Sequence, residues 1–183
     1  DAFFSASDDF LFKLAESSKV MSGDYFDQLR VLRKRKVALR QHILDDVKSW
    51  VEGGAQAIGQ PGDESDLSAV KTGTLSLMDD TVLERTLATE SFSNRLLERA
   101  GEDWLCFHER MVALTCQKTL SDNNTPFNPA ALGHLVLKQI ETLDFPFKSA
   151  LMLFRVFDDT AIPRLIEFYQ QSNQWLIGQD ILP

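Results

Sequence analysis

Apolar residues recur at steps of three, four or seven through most of the chain, and that is the period of an α-helix. The longest such stretch predicts a helix from about Tyr25 to Val51, with Phe26, Leu29, Leu32, Leu39, Ile43, Val47 and Trp50 on one stripe. A stripe of that length must be covered by something, because a lone amphipathic helix gains most of its stability from packing. An earlier helix is expected over roughly Asp8–Val20, with Phe10, Leu11, Leu14 and Ala15 inward. Between the two, Ser22-Gly23-Asp24 reads as a break followed by a cap, since an Asp side chain accepts first-turn amides.

From Gly53 to about Thr74 the period stops. Gly53-Gly54, Gly59, Pro61-Gly62 and Gly73 stand among Asp63, Glu64 and Asp66, the composition of an acidic, solvated linker. Leu75-Ser76-Leu77 alternates like a short extended piece. Asp79-Asp80 predicts the start of a helix to about Arg99, closed by Gly101, and another should run from Asp103 to Leu120. Asn128-Pro129 is a strong start signal, and its helix places Leu132, Leu135, Val136, Ile140 and Leu143 on one face. Pro146 opens a helix with little polar surface, in which Phe147, Ala150, Leu151, Met152, Phe154, Val156 and Phe157 crowd together. Pro163 should kink or restart the chain before a last helix bearing Ile162, Leu165, Ile166, Tyr169, Leu176 and Ile177. The expected class is all-α, a bundle of about seven helices. It divides into a two-helix unit over 1–52, an acidic linker over 53–74 and a helical bundle over 75–183.

Composition narrows the function classes. The net charge of −8 disfavours a general nucleic-acid binder. No stretch approaches roughly 18 uninterrupted apolar residues, so no membrane span is expected. The N-terminus lacks the order of a signal peptide, and two cysteines make no disulfide framework, so a reducing cytoplasm is the expected setting. A chain that opens on Asp1 rather than Met is expected to be part of something longer.

The most uneven charge lies in the second helix. Arg30, Arg33, Lys34, Arg35, Lys36 and Arg40 occur without an acid between Gln28 and Leu44, while Asp24, Asp27, Asp45, Asp46 and Glu52 flank the run. The cations are spread around the helix and no aromatic platform is interleaved. The expectation is a solvated face ion-paired with acids of this or a neighbouring chain, ahead of an acidic protein partner and of nucleic acid or a nucleotide. Cys106, His108 and Cys116 are too few for a structural zinc and lack a C-x-x-C or H-x-x-x-H pair, so no metal is expected. Glu102-Asp103 and Asp158-Asp159 read as caps near helix ends. No nucleophile elbow, Walker loop, dinucleotide fingerprint or zincin motif is present, so neither enzyme activity nor a cofactor is expected.

The order of several segments resembles a bacterial family known as domain of unknown function 1631. They are Phe10-Leu11-Phe12-Lys13-Leu14-Ala15, Tyr25-Phe26-Asp27-Gln28-Leu29-Arg30, Leu75-Ser76-Leu77-Met78-Asp79-Asp80 with Leu83-Glu84, and Asn128-Pro129-Ala130-Ala131-Leu132. The ending Leu151-Met152-Leu153-Phe154-Arg155-Val156-Phe157, followed by Ile181-Leu182-Pro183, matches as well. The resemblance implies the helical N-terminal part of a longer cytoplasmic protein. Some members are labelled thymidine phosphorylase without support. The family's far C-terminal region is similar to cyclic-di-GMP-binding PilZ domains, which raises a signalling context. It brings no catalytic residues.

The resulting expectation is a non-catalytic regulatory or scaffolding module that binds a protein partner or a second copy of itself. Its candidate contact residues are Leu32, Leu39, Ile43 and Trp50, with the cations Arg30, Arg33, Lys34 and Arg40. The alternative is a nucleotide- or nucleic-acid-binding module using the basic second helix.

Overall fold

The computed structural model describes residues 1–18, 21–53, 80–115, 125 and 127–182. The described residues form five helices and no strand: α1 (Ala2–Ser17), α2 (Ser22–Gly53), α3 (Asp80–Thr115), α4 (Pro129–Glu141) and α5 (Phe147–Gly178). Among the described residues the all-helical expectation holds, with five helices where about seven were expected for the chain.

Two predicted breaks are absorbed into longer helices. Gly101 takes non-helical angles, φ 9° and ψ −88°, yet α3 continues across the kink. Ala100 and Trp104 on either side of it both face the core, so burial holds the two halves on one course. Pro163 lies inside α5. A proline in mid-helix removes one backbone bond and costs about 3 kcal/mol. Ile162 before it and Tyr169 after it are completely buried, and burial on that scale offsets the loss. At the other end of the chain α1 begins six residues earlier than Asp8, and Phe3 and Phe4 extend its inward face. The second helix starts at Ser22, so Asp24 sits in its first turn rather than before it. The expected linker after Gly53, Leu75-Ser76-Leu77, Asp79 and the segment Cys116–Leu120 lie outside the described residues.

The Asn128-Pro129 signal is met in full. The Asn128 side chain accepts the Ala131 N–H at 2.9 Å, and Pro129 occupies the first turn. Just before it, Phe127 has φ 61°, a left-handed conformation that a bulky residue adopts only when held. It is held by the Tyr169 hydroxyl, which donates to its carbonyl at 2.8 Å, and by ring contacts with Trp50 and Phe168. Burial pushes the Tyr169 phenol up from its ordinary value, so this donor keeps its proton.

Polar contacts give the directions of the helices. Along α3 and α5, Arg85 lies over Phe147, Arg95 pairs with Asp158, and Arg110 donates to Asn173, so the two helices run parallel. The shorter α4 runs antiparallel between them, and Arg85 reaches back to Glu141 at 2.9 Å. Contacts of Arg35 with the Thr142 carbonyl, of Gln139 with Asp46 and of Trp50 with Phe127 lay α2 antiparallel on α4. Finally α1 doubles back along α2 and touches α5, where Phe3 meets the edge of Phe157. One contiguous apolar cluster includes residues from all five helices.

The helix after Pro146 is more selective than its composition suggests. Leu153 and Phe154 are buried, Leu151 is half-buried, and Met152 is 39% exposed. Leu153→Ala should therefore cost about 2–5 kcal/mol. Met152→Ala should stay within about 0.5 kcal/mol of the parent. Urea melts of the two variants check this. Equal losses would show that the face of α5 is misplaced.

Candidate protein-interaction surface

The stripe of α2 is covered by its own chain. Leu32, Leu39 and Trp50 are 2%, 2% and 1% exposed, closed off by α1, α4 and Phe127. Ile43 is half-buried. No second copy is needed to cover this face, and the folded single chain does not present the first three to a partner. Three other aliphatic residues of α2 are exposed instead: Val37, Leu44 and Val51, seven positions apart on the outer face.

Most of the basic run is engaged within the chain. Arg33 holds Asp8 with two parallel bonds of 2.6 Å, Arg40 reaches Asp1 at 3.4 Å, and Arg30 pairs with Asp27. Arg35 donates to the Thr142 carbonyl at 2.9 Å. Lys36 stands 5.6 Å from the centre of the Phe4 ring, a cation–π contact that accounts for a lysine within the apolar stripe. The bonds from Arg33 hold the Asp8 carboxyl below its usual value. Lys34 is exposed, and among the described residues it has no acidic partner.

Lys34 stands at the rim of a groove of about 400 Å³ between α2 and the α4–α5 turn. Asp27, Gln28, Val31, Lys34 and Arg35 line one side and Leu143, Asp144, Phe145 and Pro146 the other. A second groove, of about 310 Å³, is almost wholly apolar and runs between Ile43, Val136, Phe157, Leu165 and Phe168, with Arg164 at its edge. The first groove carries the charged residues Asp27, Lys34, Arg35 and Asp144, and the second Arg164.

The residues considered for metal do other work. His108 hydrogen-bonds through Nδ1 to the Thr125 hydroxyl and lies against Trp104, and Cys106 is a half-buried free thiol. Cys116 lies outside the described residues, among which no three His, Cys, Asp or Glu side chains come together as a ligand set.

Both carboxylate pairs need correction. Asp158-Asp159 caps nothing, because it lies in the middle of α5. Asp158 is buried and pairs with Arg95 of α3, and Arg95 also reaches Asp159 at 3.1 Å. Its second oxygen, Oδ1, is buried without a hydrogen-bond partner. Burial raises the Asp158 carboxyl above its ordinary value, against the pull of Arg95. Asp103, two residues beyond the Gly101 kink, ties α3 to α5: its carboxylate accepts from Gln170 and its carbonyl from Asn173, both at 2.8 Å. The signal available in the sequence was spacing. Asp158 stands four residues from both Phe154 and Ile162, on the buried face of the helix.

The model of the N-terminal domain of the protein family of unknown function DUF1631 matches residues 1–180. The chain belongs to this family. No curated protein and no solved structure matches it. The family carries no assigned activity, so for the DUF1631 N-terminal domain the geometry has to supply the reading. No described helix is long and apolar enough to cross a membrane.

The two carboxylates predict opposite responses to pH. A raised carboxyl binds its proton more tightly folded than unfolded, so protonation of Asp158 favours the folded state. Relative to Asp158→Asn, the parent should gain stability as pH falls from neutral towards about 4. For the lowered Asp8, the stability present above its ordinary value is lost as pH falls, so the advantage of the parent over Asp8→Asn should shrink. Urea melts across that range test both signs. Parallel slopes for the two variants would contradict the assignment.

Proposed function

We propose that this chain is a non-catalytic regulatory or scaffolding module of a larger bacterial cytoplasmic protein, one that binds a protein partner or a second copy of itself. The observation that carries this reading is the apolar-floored groove beside α2, with exposed Lys34 at its rim. An open cleft with an apolar floor and a few polar groups at its edge suits a side chain or segment of another protein. The exposed Val37, Leu44 and Val51 lie on a different face of the same helix from the groove.

The alternative, nucleic acid or nucleotide binding through the basic run, loses support from the pairing of its cations. Arg30, Arg33 and Arg40 are each within 4 Å of a carboxylate of the same chain. Phosphate contacts would have to compete with those bonds, in a chain of net charge −8. The family's link to cyclic-di-GMP signalling concerns a different region, and no residue described above bears on it.

The test is a pull-down with the longer protein that carries this domain, intact and with the domain removed. A partner retained only by the intact form, and held at moderate salt, is the expected result. Mobility shifts near physiological salt should show no nucleic-acid binding tighter than about 1 μM. Submicromolar binding lost on Arg33→Ala with Lys34→Ala would replace the reading with its alternative.

A further inference from the structure

The groove between α2 and the α4–α5 turn has a chemistry of its own. Val31, Leu143, Phe145 and Pro146 make an apolar floor. Gln28 lines it and is 6% exposed, with Oε1 buried and lacking a hydrogen-bond partner. Pro146 is also the N-cap of α5, a helix of 32 residues with no side-chain cap and no acid in its first turn. The positive end of the α5 dipole therefore lies beside the groove without a side-chain cap. With Asp27 paired to Arg30, the charges remaining on the lining are Lys34 and Arg35 against Asp144.

Resting on the protein-binding reading, we propose that this groove docks an extended acidic–apolar segment of a partner protein, an apolar side chain on Val31 and Phe145 and a carboxylate on Lys34. Charge complementarity selects that occupant. A cation with no acid of its own, next to an uncapped helix N-terminus, attracts a carboxylate, while the floor takes apolar area. The buried Gln28 amide, short of a partner, is suited to a backbone group of an extended chain. Asp144 stands across the groove, where it favours a backbone N–H over a second acid. A polyanion such as nucleic acid would gain nothing from the apolar floor.

The test uses the 183-residue chain and two fluorescein-labelled peptides, Gly-Asp-Leu-Phe-Glu-Gly and the same peptide with Asn and Gln in place of its acids. Fluorescence anisotropy should show the acidic peptide binding about tenfold or more tighter than its amide counterpart, with a similar loss on Lys34→Glu. Lys13→Glu, an exposed charge reversal on α1, should bind like the parent, and unchanged melting of both variants shows that each is folded. Val31→Ser should weaken both peptides alike. Equal binding of the two peptides, indifference to Lys34→Glu, no binding by the parent chain, or displacement by an oligonucleotide of equal charge would overturn the proposal. If these fail while the pull-down still depends on the domain, the assignment of the groove falls alone. Loss of that dependence overturns the protein-binding reading itself.

Discussion

The architecture depends on the burial of α4 on three sides. This helix has only 13 residues, and Leu132, Leu135, Val136, Leu137 and Ile140 are all buried. A helix so apolar has no stable existence at a surface. α3, α5 and α2 pack around it, which places the N-terminal pair of helices and the C-terminal three on one core. At Gly133 the approach is closest: a Cβ there would lie 2.9 Å from Phe92 Cδ1 and 3.7 Å from Phe154 Cζ. Glycine at that position lets α3 and α5 close over the short helix.

What α4 does to α2 decides what the second helix can offer a partner. Together with α1 and Phe127 it covers Leu32, Leu39 and Trp50 and removes the apolar stripe from the surface. The packing of α1 along α2 sets Asp8 against Arg33 and Asp1 against Arg40. The helix with the most uneven charge in the sequence thus has a largely satisfied face, and Lys34 stands out against it. The groove beside Lys34 is a by-product of the tight α4–α5 turn, where Asp144 has φ 61° and Arg35 clamps the preceding Thr142 carbonyl.

Local signals were read well from the sequence where the physics is local. The Asn128-Pro129 start and the inward positions Leu29, Leu32, Leu39 and Trp50 of α2 follow from capping and period, and the structure has each of them, although α2 runs through the expected break at Ser22-Gly23-Asp24. Gly101 and Pro163 were legible as disturbances but not as continuations, because what holds each helix together is the core on both sides. Asp158 was misread as a cap, since its partner Arg95 is 63 positions away and no neighbour announces it. Met152 and Leu153 are adjacent in an apolar run, and only the packing of α5 against α3 and α4 separates the exposed one from the buried one. The groove was not legible at all: its two walls meet through Arg35 and Thr142, 107 positions apart.

The central claim is that α2 is closed onto its own chain by α1 and α4, leaving the groove and not the stripe for other molecules. Hydrogen exchange followed by mass spectrometry, at low and high protein concentration, tests it most directly. The account predicts that amides from Leu29 to Trp50 are protected to a similar degree as those of α4, and equally at both concentrations. Fast exchange across α2 in dilute solution, slowing as concentration rises, would contradict it and show that a neighbouring molecule covers the stripe.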